Sequence, residues 1–280
     1  PSVISRPPYA QTGDPGPSVL PLVRTENEIE SMRKAGAIAA EVLLYVGEEV
    51  TPGISTDKLD QIAHEEIVRK GAYPSPLNYR GFPKSVCTSV NEVVCHGIPD
   101  SRQLQDGDIV NIDVTVYYEG VHGDTSVTFL VGDVDDHSRS LVDTTREALY
   151  RGMETVRNGS QVCDIGQAIE KYAHSNQLSV VGEFIGHGVG PEFHSSLAIP
   201  HYFDRRATTE LLTGMSFTIE PMLNLGGHAL QMWDDTWTVV TSDGRRSAQL
   251  EHTLVVTDDG FEILTQTSSG TIPAEFFAGR

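Results

Sequence analysis

GDIVNIDVTVYYEGVHGDTS, Gly107 to Ser126, reads as a β-hairpin. From Ile109 to Val116, Val110, Ile112, Val114 and Val116 alternate with Asn111, Asp113 and Thr115, the period of a strand with two unlike faces. Tyr118, Glu119 and Gly120 supply a turn, and the return strand sets Asp124, Ser126 and Thr128 against Val127, Phe129 and Val131. Two acids, Asp113 and Asp124, therefore fall near one level. A two-residue loop at 118–119 would put them directly opposite, with Cβ atoms roughly 5 Å apart. An antiparallel sheet often keeps one solvated face, and acids there need no function. The other reading is a pair of carboxylates aimed at a cation, because two uncompensated charges that close repel. The hairpin alone leaves both open.

The bulk properties narrow the field. A chain of 280 residues can bury a full core as one large domain or two fused halves. With 39 acidic against 20 basic side chains, the net charge of −19 argues against gripping nucleic-acid phosphates, and no direct sequence-specific nucleic-acid partner is expected. Cys87, Cys95 and Cys163 are odd in number and form no CxxC pair, which suits reduced thiols in a cytoplasmic protein. No apolar run approaches the roughly 18 residues of a membrane span, and no signal peptide opens the chain, so no membrane partner is expected. Residues 1–24 are rich in Pro, Gly and Ser without a period, and read as an extended arm or a loose tail.

The rest of the chain repeats itself. Thr25-Glu26-Asn27-Glu28 is a capping box, followed at helical spacing by Ile29, Met32, Ala39, Leu43 and Val46. After the turn at Pro52-Gly53, a second helix passes through Leu59, Ile62 and Ile67 to about Gly71, and strands follow. A helix from about Asp135 to Val156, a turn at Asn158-Gly159 with Asp164 as cap, and a helix through Ile165, Ile169 and Tyr172 restart the pattern. Gly107 to Asp113 matches Gly214 to Glu220 in spacing at an offset of 107, and Gly53 matches Gly159 at 106. The expectation is an α+β fold of two pseudo-symmetric α-β halves, about 25–132 and 133–265, around a central curved antiparallel sheet. Glu220 is then the counterpart of Asp113. A late strand from Ala248 to Val256 adds Glu251, on the face opposite Leu250, Leu254 and Val256. Four carboxylates brought together call for divalent cations, for which they form an oxygen-rich cage. A histidine in a glycine-rich turn, His187 in GHGVG, offers a fifth ligand, and His96 and His194 remain free to act on a substrate.

NEVVCHGIP, DGDIVNIDVTV, HGDTS, GHGVG, FTIEPM and AQLEHT together resemble the type I methionine aminopeptidases of the pita-bread fold, in the family's order from about Thr25 to Thr265. The short span from Gly190 to Gly214 has no room for the insertion of the type II enzymes, and the Pro-rich arm resembles the extended actinobacterial forms. The resemblance implies one catalytic domain over 25–280 that removes the initiator methionine from nascent chains whose second residue is small. It implies a dinuclear site held by Asp113, Asp124, His187, Glu220 and Glu251, with a metal-bridged hydroxide as attacking group. Mn, Co, Fe or Zn are the candidate metals, with Mg also suited to a carboxylate-dominated set. Glu220 would relay the proton, His194 would hydrogen-bond the substrate near the scissile bond, and His96 would assist the leaving amine. Tyr79, Phe82, Cys87, Phe193 and Trp237, with both histidines, would wall the methionine pocket. Asn91, Val93 and Ser247 match positions that hold a monovalent cation. A monomer is implied, and the arm of residues 1–24 is a candidate ribosome contact. An Xaa-Pro peptidase of the same fold, or a non-catalytic peptide-binding relative, are the rival readings. Such relatives normally carry an extra N-terminal domain in the first case and lose ligands in the second.

Overall fold

A computed structural model describes residues 4–278; Pro1 to Val3 of the arm lie outside the described residues. Helix α1 (Glu26–Gly47) starts at Thr25, whose hydroxyl accepts from the Glu28 N–H while the Glu28 carboxylate accepts from the Thr25 N–H. Helix α2 (Thr56–Arg69) is capped by the Ser55 hydroxyl. The strands β1 (Tyr73–Pro74), β2 (Cys87–Val90), β3 (Val93–Cys95), β4 (Ile109–Tyr118) and β5 (Val121–Leu130) follow. Then come α3 (Asp136–Met153) and α4 (Val162–Ser175), and the strands β6 (Ser179–Val180), β7 (Gly186–His187), β8 (Ala198–Ile199), β9 (Ser216–Ile219) and β10 (Met222–Asn224). The hairpin β11 (Leu230–Met232) and β12 (Val239–Thr241) precedes β13 (Ser247–Gln249), β14 (His252–Val256) and β15 (Phe261–Ile263). Asp164 does not itself cap α4: Gln161 holds that position, and its N–H donates to the Asp164 carboxylate.

The central hairpin has the expected faces but a different register. Glu119 (φ 48°) and Gly120 (φ 89°) form its tight turn, so Tyr118 pairs with Val121. A two-residue hairpin with both central residues at positive φ matches the twist of the strands. Asp113 consequently faces Ser126, and Asp124 faces Thr115. The two acids are diagonal neighbours on one face instead of a directly opposed pair, because the loop is one residue later than 118–119. Val110, Ile112, Val114 and Val116 pair with Phe129, Val127, Thr125 and Gly123 on the other face, under α1. There the helix touches backbone: a Cβ on Gly123 would stand 2.5 Å from the Gly36 nitrogen.

The polar face is not solvated. Gln249 donates its N–H to the Thr128 hydroxyl (3.0 Å), and its carbonyl accepts from the Asn111 amide (2.8 Å). The Glu251 N–H donates to the Ser126 carbonyl (3.0 Å). The second half thus closes over the acids of the first. The sheet is segmented where the acids sit. The late strand expected over 248–256 is two strands, β13 pairing with β10 and β14 with β9. Ile219 pairs with His252 and Met222 with Gln249, so Glu220-Pro221 and Leu250-Glu251 face each other across one interruption. Pro221 has no N–H to give the ladder, which stops it there.

The arm lies against the body. Tyr9 is buried, and its hydroxyl donates to the Ser75 carbonyl at 2.7 Å. Farther on, Glu192 accepts from the Ser18 hydroxyl and the Val19 N–H, each at 2.8 Å. Among the described residues no helix is long and apolar enough to cross a membrane.

Candidate metal centre and substrate pocket

Five side chains from both halves converge on the floor of a cavity of about 450 Å³ lined by Asp113, Asp124, His187, Glu220 and Glu251. Asp113 and Asp124 come from the hairpin, and Glu220 and Glu251 from the paired interruptions. His187 comes from β7, a short strand paired with β8, and not from a sharp turn. Its flanking glycines serve close approach: a Cβ on Gly186 would lie 2.4 Å from the Thr218 carbonyl oxygen. That contact seats the imidazole over β9.

The imidazole is oriented for ligation. Nδ1 lies 3.1 Å from the Gly188 carbonyl, which can only accept, so Nδ1 carries the proton. Nε2 then turns its lone pair to Asp124 Oδ2 at 3.5 Å and Glu220 Oε1 at 3.6 Å. Those spans exceed a good hydrogen bond. Ligand atoms of Asp124, His187 and Glu251 lie within 4.8 Å of one another. A backbone carbonyl behind a histidine is a common way to fix the tautomer of a metal ligand.

Hydroxyls hold the carboxylates in place. Thr115 donates to Asp124 Oδ1 at 2.6 Å, and Thr218 donates to Glu220 Oε1 at 2.7 Å. Gln249 reaches Glu220 Oε2 at 3.2 Å, and the Glu220 N–H donates to His201 Nε2. Among the described residues, Asp113 Oδ1 is buried with no hydrogen-bond partner. Burial, with the charges of Asp124 and Glu220 beside it, pushes the Asp113 carboxyl well above the usual carboxylate range. Burial and the same neighbours raise Glu251 likewise. Glu220 is raised to about 7, by burial first, with His187 pulling it back. Burial lowers the His187 pKa, but the Asp124 and Glu220 carboxylates beside the ring outweigh it and the net shift is upward. This arrangement is electrostatically uncompensated as it stands. A buried oxygen without a donor, crowded carboxylates and an aimed imidazole lone pair are the donor set that one or two divalent ions satisfy.

Above this floor the wall is aromatic and apolar. All seven expected pocket residues line the cavity: Tyr79, Phe82, Cys87, His96, Phe193, His194 and Trp237. Tyr79 stacks on His194 with centroids 5.1 Å apart, and Phe82 meets Trp237 edge-on at 5.1 Å. Burial and the charge of His187 lower His96 to about 4 and take His194 well below its ordinary value, so both are neutral near pH 7. Sequence reading missed Cys95, Phe184 and Met222, which complete the wall. Cys95 and Met222 lie inside the motifs NEVVCHGIP and FTIEPM, so their positions were visible but their direction was not. Of the three residues matched to a monovalent cation, Asn91 and Ser247 meet directly, the Ser247 N–H donating to the Asn91 carbonyl at 2.9 Å. The Ser247 hydroxyl is buried without a hydrogen-bond partner among the described residues, and Val93 pairs with Val240 in β12.

The model of metallopeptidase family M24 matches residues 30–258. The chain belongs to metallopeptidase family M24. Within M24 it is 54% identical over 265 residues to methionine aminopeptidase 2 of Mycobacterium tuberculosis, covering 95% of this chain and 93% of that one. The methionine aminopeptidase structure from Rickettsia prowazekii superposes with a TM-score of 0.85 at 47% identity, over 87% of this chain and 98% of that one. The prolidase from Pyrococcus furiosus shares the fold at a TM-score of 0.70 and 23% identity, over 88% of this chain and 66% of its own. The pita-bread fold and a type I, actinobacterial-like methionine aminopeptidase ancestry follow, and the Xaa-Pro reading is the less supported one.

Proposed function

We propose that this chain is a metal-dependent methionine aminopeptidase that removes the initiator methionine from polypeptides with a small second residue. The observation that carries the reading is His187 Nε2 facing the Asp124 and Glu220 carboxylates at the floor of an aromatic-walled cavity. Asp113, Asp124, His187, Glu220 and Glu251 would hold two divalent ions. Bound there, the ions would supply Lewis acidity and lower the pKa of a water toward neutrality, so that it can give up a proton and serve as nucleophile.

The chain's own residues do the rest. Glu220, with one oxygen set by Thr218 and the other by Gln249, takes a proton and returns it to the leaving amine. His194 and His96, neutral by burial, donate hydrogen bonds without repelling the cations. Tyr79, Phe82, Cys87, Phe193 and Trp237 hold the thioether side chain, which packs well on rings and sulfur. Asn91, Val93 and Ser247 would hold a monovalent cation behind the site. The domain organisation in this reading is one catalytic body over 25–280, built of halves at about 25–132 and 133–265. Each half opens with a helix pair and continues into strands.

The same reading makes the protein a cytoplasmic monomer whose arm touches the ribosome. Val19, Leu20 and Val23 support it by standing 76%, 41% and 43% exposed on one stretch of arm. Replacing all three by Ser should weaken co-sedimentation with ribosomes, and unchanged co-sedimentation removes that part.

The activity is tested with metal-free protein refilled in turn with Mn, Co, Fe(II) and Zn. Methionine release from Met-Ala-Ser, but not from Met-Lys-Ser, is expected, with loss in Asp113→Asn. Cleavage of Ala-Pro-Ser instead would point to an Xaa-Pro peptidase. Metal binding with no cleavage of any peptide would point to a binding protein.

A further inference from the structure

Arg80 belongs to two cavities at once. It stands in the lining of the metal-floored pocket and in that of a second cavity of about 550 Å³. The second cavity lies between the arm and the loop before β2, and Thr12, Gly13, Asp14, Gly16 and Asn78 also line it. The backbone at Arg80 is left-handed (φ 49°, ψ 28°), as it is at Asn78 (φ 62°). Side chains other than glycine are strained there, and such strain persists where surrounding structure imposes it. Here the arm imposes it. The Arg80 N–H donates to the Gly13 carbonyl at 2.8 Å, and the Asn78 side-chain amide donates to the Ala10 carbonyl at 3.2 Å.

The side chain so aimed has no ion-pair partner among the described residues, in a chain with 39 acidic groups. Its guanidinium lies over the Tyr79 ring, 5.7 Å from the centroid. Tyr79 in turn stacks on His194. Asp14, the acid in the lining of the arm-side cavity, accepts at Oδ1 from the Gly16 N–H at 2.9 Å, and Glu192, whose charge also reaches Tyr79, accepts from Ser18 and Val19 of the arm. Glu183 is in the lining of the metal pocket but not in that of the arm-side cavity.

We propose that Arg80 is a specificity-determining residue that binds acidic side chains of the substrate beyond its third residue, in the groove built by the arm. The inference rests on the aminopeptidase reading, since a polypeptide with its first residue over the metals must leave the pocket by its rim. The Arg80 guanidinium also hydrogen-bonds the Tyr79 side chain, which spends part of its donor set and holds it in place; its remaining N–H groups can meet a carboxylate with little freedom left to lose. The overall negative charge opposes acidic chains at long range. At physiological salt that field decays over about 8 Å, so the nearest charge governs.

The test uses the full chain refilled with Mn and three peptides: Met-Ala-Ser, Met-Ala-Ser-Glu-Glu-Glu and Met-Ala-Ser-Lys-Lys-Lys. Each kcat/KM is divided by that on Met-Ala-Ser in the same variant. The acidic peptide should exceed the basic one by about two- to five-fold, the range of an exposed ion pair. Arg80→Glu should invert that ratio. Arg80→Gly, which suits the left-handed backbone, should bring it to one. A ratio of one in the unmutated chain, or an unchanged ratio in either variant, overturns the proposal. If Met-Ala-Ser is not cleaved with any metal, the aminopeptidase reading fails separately. Fluorescence anisotropy of the labelled hexapeptides then decides on Arg80: tighter binding of the acidic one, lost in Arg80→Gly, sustains it, and equal binding overturns it.

Discussion

Nε2 of His187 stands 3.5 Å from Oδ2 of Asp124, while Nδ1 of the same ring is committed to the Gly188 carbonyl. The gap is close to the separation of two atoms each about 2.1 Å from a shared ion. His187→Ala and Asp124→Asn should each lower bound metal per chain and cut kcat/KM by more than about 100-fold. Metal analysis after dialysis, beside peptide hydrolysis, checks both. Full metal content in either variant would remove the residue from the ligand set.

Thr115 sits directly across from Asp124 and donates to Oδ1 at 2.6 Å. It fixes which oxygen of Asp124 faces the cavity. Thr115→Val keeps the shape and removes the donor. Metal affinity should fall by about 10- to 100-fold, the usual effect of an outer partner of a ligand. Isothermal titration with Mn measures it.

The raised carboxyls make metal-free protein sensitive to pH. Their folded-state pKa values lie above those of the unfolded chain, so the folded state binds more protons and stability falls as pH rises. For Glu220 the loss begins near the unfolded value of about 4.3 and ends near the folded value of about 7. Divalent ions replace those protons, so added Mn should raise Tm more at pH 7.5 than at pH 5. Melting curves with and without Mn across that range test the sign, and a larger gain at pH 5 would contradict it.

Gly186 is a tight contact near the ligands. A Cβ there would meet the Thr218 carbonyl oxygen at 2.4 Å, and backbone cannot swing aside as a side-chain tip can. Gly186→Ala should destabilise by about 1–3 kcal/mol, the scale of overpacking, and displace His187 from its carboxylates. Denaturant unfolding and metal content should change together.

Tyr9 ties the arm to the pocket wall. Its ring meets Tyr79 edge-on at 5.0 Å, and Tyr79 packs on Phe193 at 4.8 Å. Tyr9→Ala should cost about 3–5 kcal/mol, as loss of a buried aromatic does, and raise KM for methionyl peptides. Tyr9→Phe loses only the bond to Ser75, worth about 1 kcal/mol. Comparing the two variants by unfolding and kinetics separates packing from the hydrogen bond.

Much of this was legible along the chain because it depends on short spacings. The alternation of Val110 to Val116 against Asn111, Asp113 and Thr115 wrote both faces of the hairpin, and a capping box marked Thr25 as a helix start. Asp113 and Glu220 could be paired by a matching offset, Asp124 and Glu251 by their strand faces, and His187 by its flanking glycines. What local sequence could not supply was register and direction. One residue's difference in the turn moved Asp124 from Asp113 to Thr115, since a loop's length shifts every pair beyond it. The strand expected through Glu251 is broken because Pro221, thirty positions away in sequence, interrupts the ladder facing it. Whether the acidic face met solvent or the other half of the chain depended on hydrogen bonds such as Asn111 to Gln249, which join residues far apart. The arm shows the same division. Its prolines and glycines declared it irregular, but only packing against Ser75, Asn78 and Arg80 made it part of the pocket's frame. Periodicity, capping and ligand chemistry are local properties and so are written in order along the chain. Register, burial and the meeting of distant side chains are settled only when the folded backbone brings both partners to one place.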